Sequence, residues 1–319
     1  MAIATLFLAS SPVGSGVLIP KLEQEARFSV PAGPKSLRFT PDGRYVVINC
    51  LYGLQVAIVD PATREILHKV SVGDEPVECA FSPDSKIAWV SLYNKQTVVA
   101  IDLDAGKVLA RVKVGSVPKV VEVSPDGQWV YVANWSSGSV TVIDAETRKP
   151  VKSVAVGRIP RGIWFSPDSR FAYVAIMGGS TLVKFDVEKG HKKVGSISAG
   201  VTPRHIVGSP DGNTLYVSNN VPGTISVVDR QAAKTVGSIR VGSQPRTIAL
   251  SPDGKTLFVC NYESDNIGIV NVGLRRQLAT VPTAVHPIGI TVSPDGKSVW
   301  CSSYRTSTIY VFAVDSGAD

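Results

Sequence analysis

A four-residue motif, Ser/Thr-Pro-Asp-Gly/Ser, recurs seven times along the chain at an almost constant interval. Its copies start 42 or 43 residues apart, at Thr40, Ser82, Ser124, Ser166, Ser209, Ser251 and Ser293. A proline six residues before each motif keeps the same period: Pro34, Pro76, Pro118, Pro160, Pro203, Pro245 and Pro287. Repeats of this length are typical of propellers and solenoids, in which each unit is one supersecondary structure. The repeat therefore constrains the fold more than any other feature.

Each repeat contains four short segments rich in β-branched and aromatic residues. In the sixth repeat they are 246–250, 256–260, 267–271 and 277–281. Such residues favour strands. The motif between the first two segments is typical of a tight hairpin turn, because proline presets φ, serine and aspartate bond nearby backbone groups, and glycine accepts the left-handed conformation. Each repeat is therefore predicted to be a four-stranded antiparallel unit.

Four strands cannot bury both faces of their own sheet, so the units must pack against one another. Closure into a ring achieves this and leaves only short exposed edges. A linear solenoid would need polar caps at both ends, and the sequence shows none. We therefore predict an all-β fold, a seven-bladed β-propeller of four-stranded antiparallel blades, as a single domain over residues 1–319 whose repeats start near the seven prolines.

Closure of the ring requires a strand from outside the last repeat. That repeat stops after its third strand, near Asp315. Residues 21–30 match the outer strand of the other repeats and are predicted to complete the blade. Residues 1–20 contain further strand-like segments, which either displace part of the last blade or lie over one face.

Three second-strand segments carry a family resemblance. The runs 130–134 (VYVAN), 215–219 (LYVSN) and 257–261 (LFVCN) each follow the turn motif. Together with the repeat from residue 30 to residue 315, they resemble the YVTN-repeat β-propeller family. The resemblance implies the seven-bladed fold, while members include surface-layer and periplasmic binding proteins, DNA-binding proteins and redox-enzyme subunits. Four repeats depart from the Asn position, with Cys50, Leu92, Ile176 and Ser303.

Two columns of residues are expected to surround one mouth of the central channel, since alternating strands return to the same face. The residues after the column prolines are Lys35, Val77, Lys119, Arg161, Arg204, Arg246 and Ile288. Five of these are basic, whereas 33 Lys and Arg in 319 residues predict fewer than one. The neighbouring connection contributes four aromatic residues, Tyr93, Trp135, Tyr262 and Tyr304, and His286 precedes the last proline. The motif aspartates are expected on the opposite face.

Convergent cations beside aromatic rings are typical of a receptor for carboxylate or phosphate groups. The sequence therefore predicts a basic, aromatic-lined pocket that binds an anionic small molecule or an acidic protein segment. In the competing interpretation, the cations are solvated residues whose stems lie on apolar neighbours. The motif aspartates are assigned to turn chemistry.

An enzyme is the alternative that uses the same pocket. Glu78 and His205 each stand one residue after a column position, in the second and the fifth repeat. The two repeats are three blades apart, so these side chains are expected on roughly opposite walls of the channel. They can serve as acid and base in lyase, isomerase or hydrolase chemistry. Local pairing of each is the simpler interpretation. No P-loop, HExxH, GxSxG or dinucleotide fingerprint occurs, no metal-ligand spacing is present, and no cofactor is identified. His68 and His191 are expected to be exposed.

Single-stranded nucleic acid is a third possible partner, because cations alternate with aromatic rings that can stack on bases. The net charge of +7 is modest for that role. No apolar run reaches the length of a membrane span. The four cysteines form no CxxC pair and are predicted to be small buried hydrophobes. A cytoplasmic location is predicted, with export as the alternative.

Overall fold

Seven four-stranded sheets are arranged as the blades of a closed propeller. The protein is described here by a computed structural model, covering residues 19–283 and 285–315. Each sheet is antiparallel throughout, as the sequence predicts. The extra segment predicted for residues 1–20 lies outside the described residues, apart from Ile19 and Pro20, which are not in a strand.

Six blades are each built from four consecutive strands. Blade one contains β2 (Pro34–Phe39), β3 (Val46–Cys50), β4 (Gln55–Val59) and β5 (Ile66–Ser71). Blade two contains β6 (Pro76–Phe81), β7 (Ile87–Leu92), β8 (Thr97–Asp102) and β9 (Lys107–Lys113). Blade three contains β10 (Pro118–Val123), β11 (Trp129–Asn134), β12 (Ser139–Asp144) and β13 (Lys149–Ala155).

The next three blades follow the same plan. Blade four contains β14 (Pro160–Phe165), β15 (Phe171–Ile176), β16 (Thr181–Asp186) and β17 (Lys192–Ser198). Blade five contains β18 (Pro203–Gly208), β19 (Thr214–Asn219), β20 (Thr224–Asp229) and β21 (Lys234–Arg240). Blade six contains β22 (Pro245–Leu250), β23 (Thr256–Asn261), β24 (Asn266–Asn271) and β25 (Arg276–Pro282). A one-turn 3₁₀ helix, Tyr262–Ser264, is the single helix of the described ranges, where no helix has the length and apolarity to cross a membrane.

Blade seven joins the two ends of the chain. Its strands are β26 (Pro287–Val292), β27 (Ser298–Ser303), β28 (Thr308–Asp315) and β1 (Lys21–Ser29). β1 pairs antiparallel with β28 and occupies the outer position. The Phe28 ring packs edge-on against Trp300 with centroids 5.5 Å apart. The N-terminal strand thus completes the last blade, as predicted.

The seven motif turns share one hydrogen-bond pattern. Each Ser or Thr hydroxyl donates to the carboxylate of the motif aspartate at 2.5 to 2.7 Å. That carboxylate also accepts the backbone N–H two residues further on. The closing residue has positive φ, for example +75° at Gly43 and +59° at Ser85. The aspartates are therefore structural, in agreement with turn chemistry.

The hydrophobic core lies between adjacent blades and is divided into seven clusters. All four cysteines are buried and unpaired, as predicted, with the Cys260 and Cys301 sulfurs 3.7 Å apart. The Asn side chains of the YVTN-like strands are also buried. Asn134 donates to the Thr141 hydroxyl at 2.9 Å, and Asn219 donates to the Ser226 hydroxyl at 2.8 Å. These asparagines thus join the second strand of a blade to its third strand, and their side chains lie in the blade interior.

The expectation that His191 is exposed is wrong. His191 is 7% exposed, because the turn between β16 and β17 of blade four lies against blade three. Its ring packs edge-on against Trp129 with centroids 4.4 Å apart. Contacts between neighbouring blades of this kind are not visible in a single repeat.

Candidate functional site

A β-bulge at the start of every innermost strand determines which side chains face the channel. In all seven blades the pairing register shifts just after the column proline, for example between Pro34 and Ser36 and between Pro160 and Ile163. A bulge places two residues opposite one and re-aims their side chains. In blades five and six the first and the second residue after the proline both line the same space, Arg204 with His205 and Arg246 with Thr247, although strict alternation would allow only one.

The first of these layers brings four of the predicted cations together. Lys35, Arg161, Arg204 and Arg246 line one narrow space with Ile288. We call Lys35, Lys119, Arg161, Arg204 and Arg246 the cation ring. The free volume between the four members that line this space is about 10 Å³, which is room for about one water-sized atom. The four side chains therefore converge on a space with little free volume, and the basic, aromatic-lined pocket stays a prediction.

The cation ring has no salt-bridge partner among the described residues, and the buried Glu78 carboxylate offsets only part of its charge. Among residues 19–283 and 285–315, no carboxylate oxygen lies within 4.0 Å of a charged nitrogen of the ring. Arg161 is only 7% exposed, and its Nε has no hydrogen-bond partner. Burial of charge without a counter-ion is unfavourable, so the ring is electrostatically strained.

The pKa values of the ring reflect this strain. Burial, together with the charges of Arg161 and Arg204, lowers the pKa of Lys119 to about 7. Burial lowers the pKa of Arg161 to about 10, with Arg246 contributing. The pKa of Lys35 is also lowered well below its ordinary value by burial and by the neighbouring arginines. Both desolvation and like charges disfavour the charged form, so an anion at this position would relieve both.

The predicted aromatic residues lie against the cations. The Lys119 ammonium is 3.6 Å from the Tyr93 ring centroid and 5.8 Å from that of Trp135. The Arg246 guanidinium lies 3.7 Å from the Tyr262 ring, and Lys35 lies 5.1 Å from the Tyr304 ring. These contacts stabilise and orient the cations. The aromatic rings therefore support the cation ring, and none of the four lines the narrow space.

His286 is not brought into the narrow space. Its ring packs against Tyr262 with centroids 4.3 Å apart, and its Nε2 lies 3.8 Å from a Glu263 carboxylate oxygen. Its backbone N–H donates to Asp265 at 2.7 Å. His286 thus packs against Tyr262, whose ring contacts Arg246.

Glu78 and His205 belong to the second layer and line the narrow space beside the cations. Burial raises the pKa of Glu78, although Lys35 and Arg161 oppose the shift. Burial, with the charges of Arg38 and Arg204, lowers the pKa of His205 to about 3. The imidazole is therefore neutral at pH 7, and its buried Nδ1 has no hydrogen-bond partner. Acid and imidazole share one space, as the sequence predicts.

A larger cavity of about 420 Å³ lies behind the cation ring, and we call it the chamber. Glu78 and His205 line both the chamber and the narrow space. Pro125, which belongs to a motif turn, also lines the chamber. The chamber therefore extends from the second layer toward the face that carries the turns.

The chamber contains an ion pair that sequence reasoning missed. Arg38 donates to the Glu122 carboxylate through two nitrogens, at 2.9 and 3.2 Å, and to the Cys79 carbonyl at 3.0 Å. The pairing with Glu122 outweighs burial and holds the pKa of Arg38 above its ordinary value. Trp164 lies elsewhere on the wall. Arg38, Glu122 and Trp164 each stand four residues after a column proline. Continuing the two-residue alternation of side chains along the strand would have pointed to this position.

The turn face is less acidic than the aspartate motif suggests. Basic residues stand two positions after five of the seven motif aspartates: Arg44, Lys86, Arg170, Lys255 and Lys297. Arg44 lies 2.6 Å from Asp42, and Lys255 lies 3.7 Å from Asp253. The expected concentration of negative charge on this face is thereby largely balanced.

Comparison with known proteins identifies a family. The family model described as "Lactonase, 7-bladed beta-propeller" matches residues 50–317. A chain in the solved structure of Kuenenia stuttgartiensis hydrazine synthase superposes with a TM-score of 0.82 at 21% identity, covering 95% of this chain and 99% of that chain. At that identity the likeness shows the fold alone. A search of curated proteins found no match. The resemblance to YVTN-repeat proteins stays a prediction.

Proposed function

The chain belongs to the lactonase family of seven-bladed β-propellers, and we propose that it binds a small anionic molecule whose carboxylate or phosphate group lies against the cation ring. One observation carries the proposal: five buried or half-buried cations converge without a carboxylate in contact among the described residues. Glu78 supplies one carboxylate to this space, so an anion would balance charge that Glu78 alone does not, and the arginines offer the paired donors that match a carboxylate or phosphate.

The size of the narrow space limits what can bind there. About 10 Å³ accepts one oxygen atom of an anionic group, whose other atoms would lie in the chamber that shares its lining residues, and excludes a folded protein surface. A single anionic group of a small molecule is therefore favoured over an acidic protein segment.

Isothermal titration with sulfate tests this proposal, because sulfate keeps its charge across the neutral pH range. The Arg161→Gln/Arg204→Gln double variant is expected to bind at least about tenfold more weakly than the wild type, since each charge-assisted hydrogen bond contributes roughly 1.5–3 kcal/mol. The matched control is Arg158→Gln/Arg305→Gln, because both of these arginines are exposed. Equal sulfate affinity in the wild type and the ring variant, or no binding at all, would contradict the proposal.

Hydrolysis of a lactone is a second candidate function, favoured by the family and by the Glu78–His205 pair. A raised pKa makes Glu78 a better general base near neutral pH. In this mechanism Glu78 takes a proton from water as the water oxygen bonds to the lactone carbonyl carbon. The protonated Glu78 then gives this proton to the oxygen of the lactone ring when the carbon–oxygen ester bond breaks. Neutral His205 orients that oxygen.

The product of this reaction is a hydroxycarboxylate, an anion that the cation ring would hold. A pH-stat assay with δ-valerolactone and with carboxylated lactones tests the candidate function. Glu78→Gln is expected to reduce kcat about 100-fold or more, while His205→Asn is expected to have a smaller effect. Sulfate affinity should persist in both variants. Turnover no faster than in buffer, or equal rates in wild type and Glu78→Gln, would reject this role.

A further inference from the structure

The chamber adjoins the cation ring and has room for the body of a ligand held there. Its volume of about 420 Å³ lies at the lower end of the range for small-molecule sites. Its wall combines apolar side chains, such as Ile163, Ile206 and Ile290, with a few polar groups. This composition suits a molecule of metabolite size.

The two ends of the chamber differ in access. At the cation ring the gap is about 10 Å³ and Arg161 is almost fully buried. Toward the turn face, the side chains of Arg38 and Glu122 are 41% and 22% exposed. A ligand that reaches Glu78 and His205 therefore enters from the turn face, with its anionic group leading.

The two ends also differ in charge. The cation ring has no carboxylate partner in the described residues, whereas Arg38 is neutralised by two hydrogen bonds to Glu122. Trp164 and Thr291, which stand at the same position of other blades, are uncharged. Among the described residues that line the chamber, no free cation thus awaits a second anionic group near the entrance, and the Glu122 carboxylate would repel one.

We infer that Glu122 is a specificity-determining residue, which restricts the chamber to ligands with one anionic end and an uncharged trailing end. Three residue steps separate the first layer from Arg38, roughly 10 Å along a strand. A six-carbon chain is of comparable length. The inference rests on the proposed anion binding at the cation ring.

A comparison of the affinities for hexanoate and adipate tests the inference, because adipate has a second carboxylate where hexanoate has a terminal methyl group. The dissociation constants are measured by isothermal titration at pH 7. The wild type is expected to bind hexanoate at least about tenfold more tightly than adipate, since like charges in close contact weaken binding strongly. Glu122→Gln releases the Arg38 guanidinium and should reverse the preference. Glu188→Gln is the matched control, because that carboxylate is 69% exposed on the outer part of blade four.

A second variant covers the case in which Glu122→Gln fails to fold. Arg38→Gln leaves the Glu122 carboxylate without its partner and is expected to widen the preference for hexanoate. If sulfate binds but neither acid does, or if the ratio of the two dissociation constants is the same in all variants, the inference is wrong while anion binding at the ring stands. If sulfate and both acids fail to bind, the proposed function itself is wrong.

Discussion

The Nδ1 atom of His191 lies 2.8 Å from the hydroxyl group of Tyr131, 60 residues earlier in the chain. The contact joins the outer turn of blade four to the second strand of blade three. Both residues are buried, His191 at 7% exposure and Tyr131 at 0%. A titratable group therefore lies within an interface between blades.

The first prediction concerns this histidine and pH. Burial, with a contribution from Lys152, lowers the pKa of His191. The unfolded chain therefore takes up a proton near pH 6.5, before the folded protein does, and stability falls as the pH decreases from about 6.5. Between pH 7.5 and pH 5.5 the free energy of unfolding of the wild type should drop more than that of His191→Gln, by at most about 1.4 kcal/mol. Urea titrations at both pH values measure this difference, and parallel losses in the two proteins would show that His191 does not titrate in this way.

The second prediction concerns Lys119 and the pH dependence of anion binding. The pKa of Lys119 is about 7, mainly because the side chain is buried. Its positive charge is present below this pH and is lost above it. Sulfate affinity should therefore decrease by roughly tenfold between pH 6 and pH 8.5. Lys119→Met should give a shallower profile, whereas Lys95→Met, an exposed lysine of the neighbouring connection, should keep the wild-type slope. A wild-type profile that does not change with pH would contradict the low pKa.

The third prediction concerns closure of the ring. Phe28 of β1 contacts Trp300, which is 1% exposed, so the aromatic contact holds the N-terminal strand in the last blade. Phe28→Ala should reduce the free energy of unfolding by about 2 kcal/mol, less than for a fully buried phenylalanine. Val151→Ala, at an exposed position of an outer strand, should change it by less than about 0.5 kcal/mol. Equal urea midpoints for the two variants would indicate that β1 contributes little to closure.

The fourth prediction concerns Ser85, which replaces glycine in the turn of blade two. Its φ is +59°, and its buried hydroxyl accepts the Asp42 N–H of blade one at 3.1 Å. Ser85→Ala loses this hydrogen bond and keeps the backbone strain, so a loss of about 1 kcal/mol is expected. Ser85→Gly also loses the bond but relieves about 1 kcal/mol of strain, so its stability should be close to that of the wild type. Urea denaturation separates the two cases, and identical stabilities for the two variants would exclude this balance.

Much of the fold could be predicted from the sequence because its determinants are local. Each turn motif carries its own hydrogen-bond partners, such as Ser251 and Asp253, and repeats every 42 or 43 residues. The cation ring was predicted on the same basis, since one column of a repeat occupies one height in a ring. The match of residues 21–30 to the outer strand of the other repeats likewise pointed to the N-terminal strand.

The shape of the site could not be predicted in the same way. The bulge that turns both Arg204 and His205 toward the channel interrupts the two-residue period on which sequence patterns depend. The constriction at the cation ring depends on the combined volume of side chains from several blades. No single repeat contains that information.

The sequence by itself determined the number of blades, the turn chemistry and the closing strand, because each depends on residues within one repeat or at its ends. The tertiary structure alone decided that Arg38 and Glu122, 84 residues apart, form an ion pair, that His191 is buried, and that the free volume lies behind the cations. These features arise where residues of different blades meet, and no single repeat contains both partners.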